Sequence, residues 1–281
     1  MWQKSYDNSS TLYLVPTPIG NMEDMTFRAI KILNDVDVIF SEDTRVTQNL
    51  LRYYDIKNKL ISLHDHNEDI VKEKVLNYLL NGECVAIVTD RGTPIISDPG
   101  YKTVKYVSGK GFNVIALPGA NAFVPALIVS GIPSQPFLFY GFLDSKKSKK
   151  IKELEDLRGK EETIIFYEAP HRIKETMSLI LEIFGDRKVS LSREISKKYE
   201  SVYRGSVSEL LSTLDNIKGE FVIIVSGCDV KKISNSDINI VERVNYYINN
   251  GLSSMDAIKL VAKENNLKKS DVYSKYHGGD K

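Results

Sequence analysis

From Leu12 onward, short runs of aliphatic and β-branched residues alternate with longer segments in which apolar residues recur every three or four positions. Parallel strands joined by helical crossovers produce this pattern. The runs predict strands over residues 12–16, 36–41, 60–63, 85–89 and 114–117. Between the third and fourth, Val71, Val75, Tyr78 and Leu79 share one helical face, and Gly82 follows where a helix commonly ends in a left-handed residue. A helix ending near Ser130 gives way to residues 131–136, GIPSQP, with the composition of an interdomain connection.

The second block predicts strands at 137–141, 163–168, 189–193 and 221–226, with a lysine-rich segment over 145–160. Ile173, Met177, Ile180 and Phe184 form one helical stripe closed by Gly185. Ser206 and Glu209 have the spacing of a capping box, in which each side chain satisfies a backbone donor beside the other. Beyond Gly227 the strand-like runs stop. Residues from about 238 to 277 read as short helices separated by Gly251 and by Asn265 and Asn266, with Ser254 as an N-cap. These are the proportions of a helix-turn-helix, and equally of a helical pack. The expected organisation is a flexible start at 1–11, α/β domains at 12–131 and 137–228, and a small helical appendix at 237–281. A chain of 281 residues suits two cores better than one.

Charge adds little, since 38 basic and 37 acidic side chains leave a formal net charge of +1 and no global field to attract nucleic acid. Cys84 and Cys228 sit in separate apolar runs, as buried thiols do in a reducing compartment. The first ten residues lack a signal-peptide core and no later run has the length of a membrane span, so a soluble cytoplasmic protein is expected. His64 and His66 should lie on opposite faces of an extended segment with no third ligand nearby, so no metal site is expected. No G-x-G-x-x-G follows the first strand, and neither a phosphate-binding G-x-x-x-x-G-K-[ST] nor a G-x-S-x-G elbow occurs.

Three segments put glycine and proline directly after a strand, where an open α/β sheet presents its ligand edge: VPTPIG from Val15, DRGTPIISDPG from Asp90, and LPGANA from Leu117. One such loop reads as an ordinary tight turn. Three in one domain point to a binding site.

Together with SEDTR, FYEAPHR and REISKKYE, these segments resemble the tetrapyrrole-methylase superfamily, and within it the 16S ribosomal RNA cytidine 2′-O-methyltransferase branch. The resemblance spans about residues 12–227. It implies a two-domain α/β homodimer that binds S-adenosylmethionine in the cleft between its domains and methylates a cytidine ribose in the decoding region of 16S rRNA. It places Pro16, Asp90, Gly92, Thr93, Asn121 and Ala122 at the cofactor, with Glu168, Glu194 and Phe221 as second-domain candidates. The branch usually carries a small residue where this chain has Arg91, which could point to solvent, pair with Asp98 or reach the cofactor's carboxylate.

A ribose hydroxyl is a weak acid, so a base would help its methylation. Candidates at predicted strand ends are Glu42, Asp43, Glu168 and His171; alternatively Glu42 pairs locally with Arg45 and Thr44 caps a helix. Arg45, Arg172 and Arg193 follow strand ends as phosphate-positioning residues do. Lys146, Lys147, Lys149 and Lys150 belong to a run that is either a solvated helix face or a grip on an RNA backbone, possible partners including the assembled small subunit. Two other readings stay open: the same fold acting on a tetrapyrrole or a protein side chain, and a non-catalytic nucleic-acid-binding regulator using the C-terminal helices.

Overall fold

The computed structural model describes residues 2–4, 7–214, 218–228, 240–249, 252–265 and 267–278. It divides into two compact units, Met1–Cys228 and Asp229–Lys281.

The first unit begins with β1 (Thr11–Leu14), α1 (Phe27–Asp35), β2 (Val38–Ser41), α2 (Thr44–Tyr53), β3 (Leu60–Ser62), α3 (Glu68–Leu80), β4 (Val85–Val88), α4 (Tyr101–Gly109), β5 (Asn113–Ala116) and α5 (Phe123–Val129). The five strands pair in parallel in the order β3-β2-β4-β1-β5. Every residue of β2 and β4 is buried, as in strands covered on both faces. The two-residue period of a strand sends Leu12, Leu14, Val38 and Phe40 toward Val71, Val75 and Leu79 of α3. It sends Ile39, Ala86 and Val88 toward Ala29 and Leu33 of α1 and Leu51 of α2. Burying each such aliphatic side chain contributes about 1.5–3 kcal/mol. The predicted strands match the observed ones to within two residues at each end. The segment expected to be a flexible start carries bonds to β5: the Gln3 amide accepts from Val114 N at 2.9 Å and donates to its carbonyl at 2.7 Å.

The second sheet contains β6 (Phe137–Phe142), β7 (Thr163–Glu168), β8 (Lys188–Arg193), β9 (Ser201–Ser206) and β10 (Phe221–Val225), with α6 (Lys147–Leu157), α7 (Ile173–Phe184) and α8 (Val207–Leu211) between them. Its order is β6-β7-β10-β8-β9; β6 and β7 are parallel, and the other pairs are antiparallel. One face packs Phe166, Leu191 and Ile223 against Met177, Ile180 and Phe184 of α7. The other face packs Ile165, Val222 and Ile224 against Ala126 and Leu127 of α5, which joins the two sheets into one body. The capping box forms as expected at α8, with Ser206 and Glu209 bonding reciprocally. Strand β9, SVYRGS, has no apolar run to announce it, because as an edge strand it is only partly covered.

In the second unit α9 (Ile240–Asn249), α10 (Ser254–Glu264) and α11 (Lys269–His277) pack around Val244, Ile258, Val261 and Val272. The N-cap of α10 is Ser253, whose hydroxyl accepts from Asp256 N, and not Ser254, which is already helical. Residues 238 and 239, Gly251 and Asn266, used above to delimit this region, lie outside the described residues. Among the described residues no helix is long and apolar enough to cross a membrane.

Candidate active site

Strand order sets the site. Because β4, β1 and β5 are neighbours, the three glycine- and proline-bearing loops leave the sheet side by side at its carboxyl edge. Thr17 and Gly92 exchange backbone bonds at 2.9 and 3.0 Å, tying the first loop to the second. Thr93 Oγ1 donates to Ala120 O at 3.0 Å, tying the second to the third. Gly92 has φ +85°, and a Cβ there would lie 3.3 Å from Ile19 Cγ2, so this wall of the site is bare backbone. Opposite it stands the second sheet, whose β6 bulges at Gly141 (φ +84°); a Cβ at Gly141 would crowd Ser97 Oγ at 3.2 Å.

Between these walls lies a cavity of 480 Å³. From the first half it takes Ile19, Arg91, Gly92, Thr93, Ile96, Ser97, Asp98, Asn121 and Ala122. From the second it takes Phe142, Tyr167, Glu168, Ala169, Pro170, His171, Glu194, Ile195, Lys197, Glu220, Phe221 and Val222. Seven of the nine expected cofactor residues therefore line one space: Gly92, Thr93, Asn121, Ala122, Glu168, Glu194 and Phe221. Pro16 and Asp90 stand behind them. Pro16 packs where a Cβ on Gly119 would collide with it, and Asp90 accepts from Asp43 N at 3.0 Å.

The charged groups of the second half are largely committed to one another. Glu168 is 2% exposed; it accepts from Ala169 N at 2.9 Å and Thr176 Oγ1 at 2.5 Å, with Arg172 Nε 3.3 Å away. Burial alone would raise Glu194, but Lys197 at 2.9 Å and Glu220 N outweigh it and hold the carboxyl below its usual range. Arg91 does not pair with Asp98: its side chain is exposed to solvent and its guanidinium meets Glu220 at 3.2 Å.

Several expected residues fall outside the cavity. Of the candidate bases, Glu168 and His171 line it; Glu42 and Asp43 do not, and neither does Arg45. Asp43, not Thr44, is the N-cap of α2, and it, not Glu42, pairs with Arg45. That guanidinium bond holds the Asp43 carboxyl down to about 2, which makes it a poor proton acceptor. Glu42 instead accepts from Thr89 Oγ1 at 3.1 Å.

The lysine run is corrected at one position. Lys150 is fully buried on α6, donating to Glu175 at 3.1 Å and Thr176 at 3.0 Å, so it is withdrawn from any RNA. Lys146, Lys147 and Lys149 remain exposed, as does Arg45. Arg172 donates to the carbonyls of Leu143 and Asp144 at 2.7 and 2.9 Å, and Arg193 to that of Lys218 at 2.5 Å; both spend these bonds on internal loops. His64 and His66 do not diverge, since their rings meet edge to face at 6.0 Å. Both cysteines are partly exposed free thiols.

Asp98 and Tyr167 are among the cavity residues that the sequence reading gave no role in the site. Burial pushes the Asp98 carboxyl up to about 6; a Thr89 hydroxyl opposes the rise, and Glu42, Asp90 and Asp65 add to it. Burial likewise pushes the Tyr167 phenol up to about 12. The signal for Asp98 was the acidic residue at the end of each neighbouring strand, Glu42 after β2 and Asp90 after β4. Tyr167 had no comparable signal, because an aromatic in β7 reads as core.

The model of the tetrapyrrole (corrin/porphyrin) methylases matches residues 11–211, the span that contains all of the cavity's lining residues except Glu220, Phe221 and Val222. The chain belongs to this family. Among curated relatives, this methylase is 47% identical over 285 residues to the ribosomal RNA small subunit methyltransferase I of Bacillus subtilis, with 98% of each chain covered. It is 44% identical to the protein of that name from Halalkalibacterium halodurans, again with 98% of each chain covered. Its fold is similar to a cobalt precorrin-4 methyltransferase (TM-score 0.58, 18% identity, 77% of this chain and 94% of that one). It is also similar to the uroporphyrin-III C-methyltransferase of Thermus thermophilus complexed with S-adenyl homocysteine (TM-score 0.54, 17% identity, 77% of this chain and 97% of that one).

Proposed function

We propose that this methylase transfers the methyl group of S-adenosylmethionine to the 2′-hydroxyl of a cytidine ribose in the decoding region of 16S rRNA. The observation that carries the reading is one cavity joining residues of five of the six family-like segments, in a chain similar along nearly its full length to methyltransferases named for small-subunit ribosomal RNA. Its chemistry fits the cofactor. The bare backbone at Gly92 admits close approach, apolar walls at Ile19, Ile96 and Phe221 suit a base, and carboxylates suit a sulfonium. Gly92, Thr93, Asn121 and Ala122 would hold it from the first half, and Glu168, Glu194 and Phe221 from the second.

When bound, S-adenosylmethionine supplies an electrophilic methyl group. The chain's own part is to fix positions and exclude water. Linked loops hold one wall, the Glu168–Thr176–Lys150 network holds the other, and burial between two sheets removes solvent that would compete for the reacting groups. Exposed Lys146, Lys147, Lys149 and Arg45 supply sequence-blind contacts to phosphate, so selection of one nucleotide rests on RNA shape within the small subunit. A homodimer is supported by the apolar side chains that α5 and β6 leave exposed, Val124, Ile128, Val129 and Phe137. Free thiols suit the cytoplasm, where ribosomes are assembled.

The test incubates the protein and labelled S-adenosylmethionine with small ribosomal subunits from a strain lacking the modification. Label entering 16S rRNA is expected. Label entering ribosomal protein, or a tetrapyrrole offered in the same assay, contradicts the reading.

A further inference from the structure

The cavity holds four carboxylates, and three are occupied. Glu168 accepts from Ala169 N and Thr176 beside Arg172; Glu194 is paired with Lys197; Glu220 is shared by Arg91 and Lys197. Among the described residues Asp98 forms no ion pair. It lies in the tight segment between β4 and α4, where Ile95 (φ +76°), Ser97 (φ +68°) and Gly100 (φ +126°) all take left-handed backbone. Non-glycine residues there, above all a β-branched one, cost about 1–3 kcal/mol each, and such residues concentrate at functional sites. The contorted backbone carries Ser97 against Gly141 of the second sheet and leaves the next side chain, Asp98, facing the cavity.

We propose that Asp98 is the catalytic base of this methylase, accepting the proton of the hydroxyl that receives the methyl group. The proposal rests on the ribose reading above. As the new O–C bond forms, the C–S bond breaks with its electron pair left on sulfur. The hydroxyl proton passes to an Asp98 carboxylate oxygen and reaches water once product leaves.

The surroundings suit that task. Glu42, Asp90 and Asp65 face Asp98 from the carboxyl edge of the first sheet and Tyr167 faces it from the second, with Thr89 as hydroxyl partner. Burial and these anions keep the acceptor more basic than an ordinary aspartate, yet still mostly ionised at neutral pH. Three of the candidates named from sequence are less suited: Glu42 and Asp43 lie outside the cavity, Asp43 is held near 2, and Glu168 is fully engaged.

The experiment compares the full-length protein with D98N on small ribosomal subunits from pH 5 to 8.5, under single-turnover conditions. Wild-type rate is expected to rise about tenfold per pH unit below pH 6 and to level off above pH 7. D98N should lose about 10²–10³-fold in rate and the acidic limb with it, while S-adenosylmethionine still raises its melting temperature as in wild type. Stability gives a readout independent of turnover. A carboxyl whose folded value is about 6 against 3.8 unfolded favours the native state below pH 3.8 and loses that contribution as pH rises through 6. D98N should therefore melt about 2–4 °C above wild type at pH 7.5, the gap closing near pH 4.

A D98N rate within about threefold of wild type, or an acidic limb that persists, overturns the assignment. So does loss of the S-adenosylmethionine-induced stabilisation, which would make Asp98 a cofactor ligand instead. Ribose methylation by wild type with an unimpaired D98N leaves the function standing and removes Asp98; a methylated base as product removes both.

Discussion

The two walls of the cavity are built in opposite ways. The first-half wall is backbone: parallel strands β4, β1 and β5 end together, and glycine, proline and two cross-loop bonds let main chain face the ligand space. The second-half wall is side chain. There a buried chain of polar side chains, Lys150 to Thr176 to Glu168, with Arg172 alongside, sets the shape. The first kind of wall tolerates no added atoms. The second tolerates no lost partner.

Removing a partner should have the largest effect on stability. Lys150→Ala opens a cavity at a fully buried position and removes the ammonium partner of Thr176, and is expected to destabilise the protein by about 2–4 kcal/mol in urea unfolding. Lys150→Met, which refills the volume and leaves half-exposed Glu175 to water, should stay within about 1 kcal/mol of wild type. If Lys150 instead gripped RNA, both variants would bind subunits more weakly at unchanged stability.

Adding atoms to the backbone wall should act on the ligand. Gly92→Val places a branched side chain at φ +85° and against Ile19, so the loop must shift. Cofactor affinity, read by calorimetry, is expected to fall roughly 10–100-fold while the circular dichroism spectrum is retained. Unchanged affinity would show that main chain at Gly92 does not face the ligand.

Smaller effects follow at the surface. Replacing Lys146, Lys147 and Lys149 together by Ala should leave the melting temperature unchanged and flatten the salt dependence of subunit binding by roughly one to three log units per log salt. The smallest is Arg91→Ala. Its exposed pair with Glu220 is screened by water, so cofactor affinity should change less than about threefold.

The same contrast explains what the sequence disclosed. The backbone wall was legible as three loops, because its chemistry is written in residue types that have few other uses: glycine and proline after β-branched runs marked a binding site, and the family resemblance placed Gly92, Thr93, Asn121 and Ala122 within it. The side-chain wall was legible only through the family resemblance. A lysine in a run of lysines gives no sign that it turns inward, and Lys150 does so because its position on α6 faces α7 across Thr176. Charged residues near strand ends read as catalytic, yet Asp43 is spent on capping α2 and Arg172 on the carbonyls of Leu143 and Asp144. Edge strand β9 and the cap of α10 were missed for a related reason: a half-covered strand needs no apolar run, and adjacent serines at 253 and 254 offer equal capping chemistry.

On the proposed function, the cavity delivers methyl to a ribose oxygen. The most direct test is alkaline hydrolysis of 16S rRNA labelled by this protein, since a 2′-O-methyl group removes the hydroxyl that alkali needs to cut the next phosphodiester. Label is expected in an alkali-resistant dinucleotide with cytidine at its 5′ side. Label recovered in mononucleotides, on a base, would contradict it.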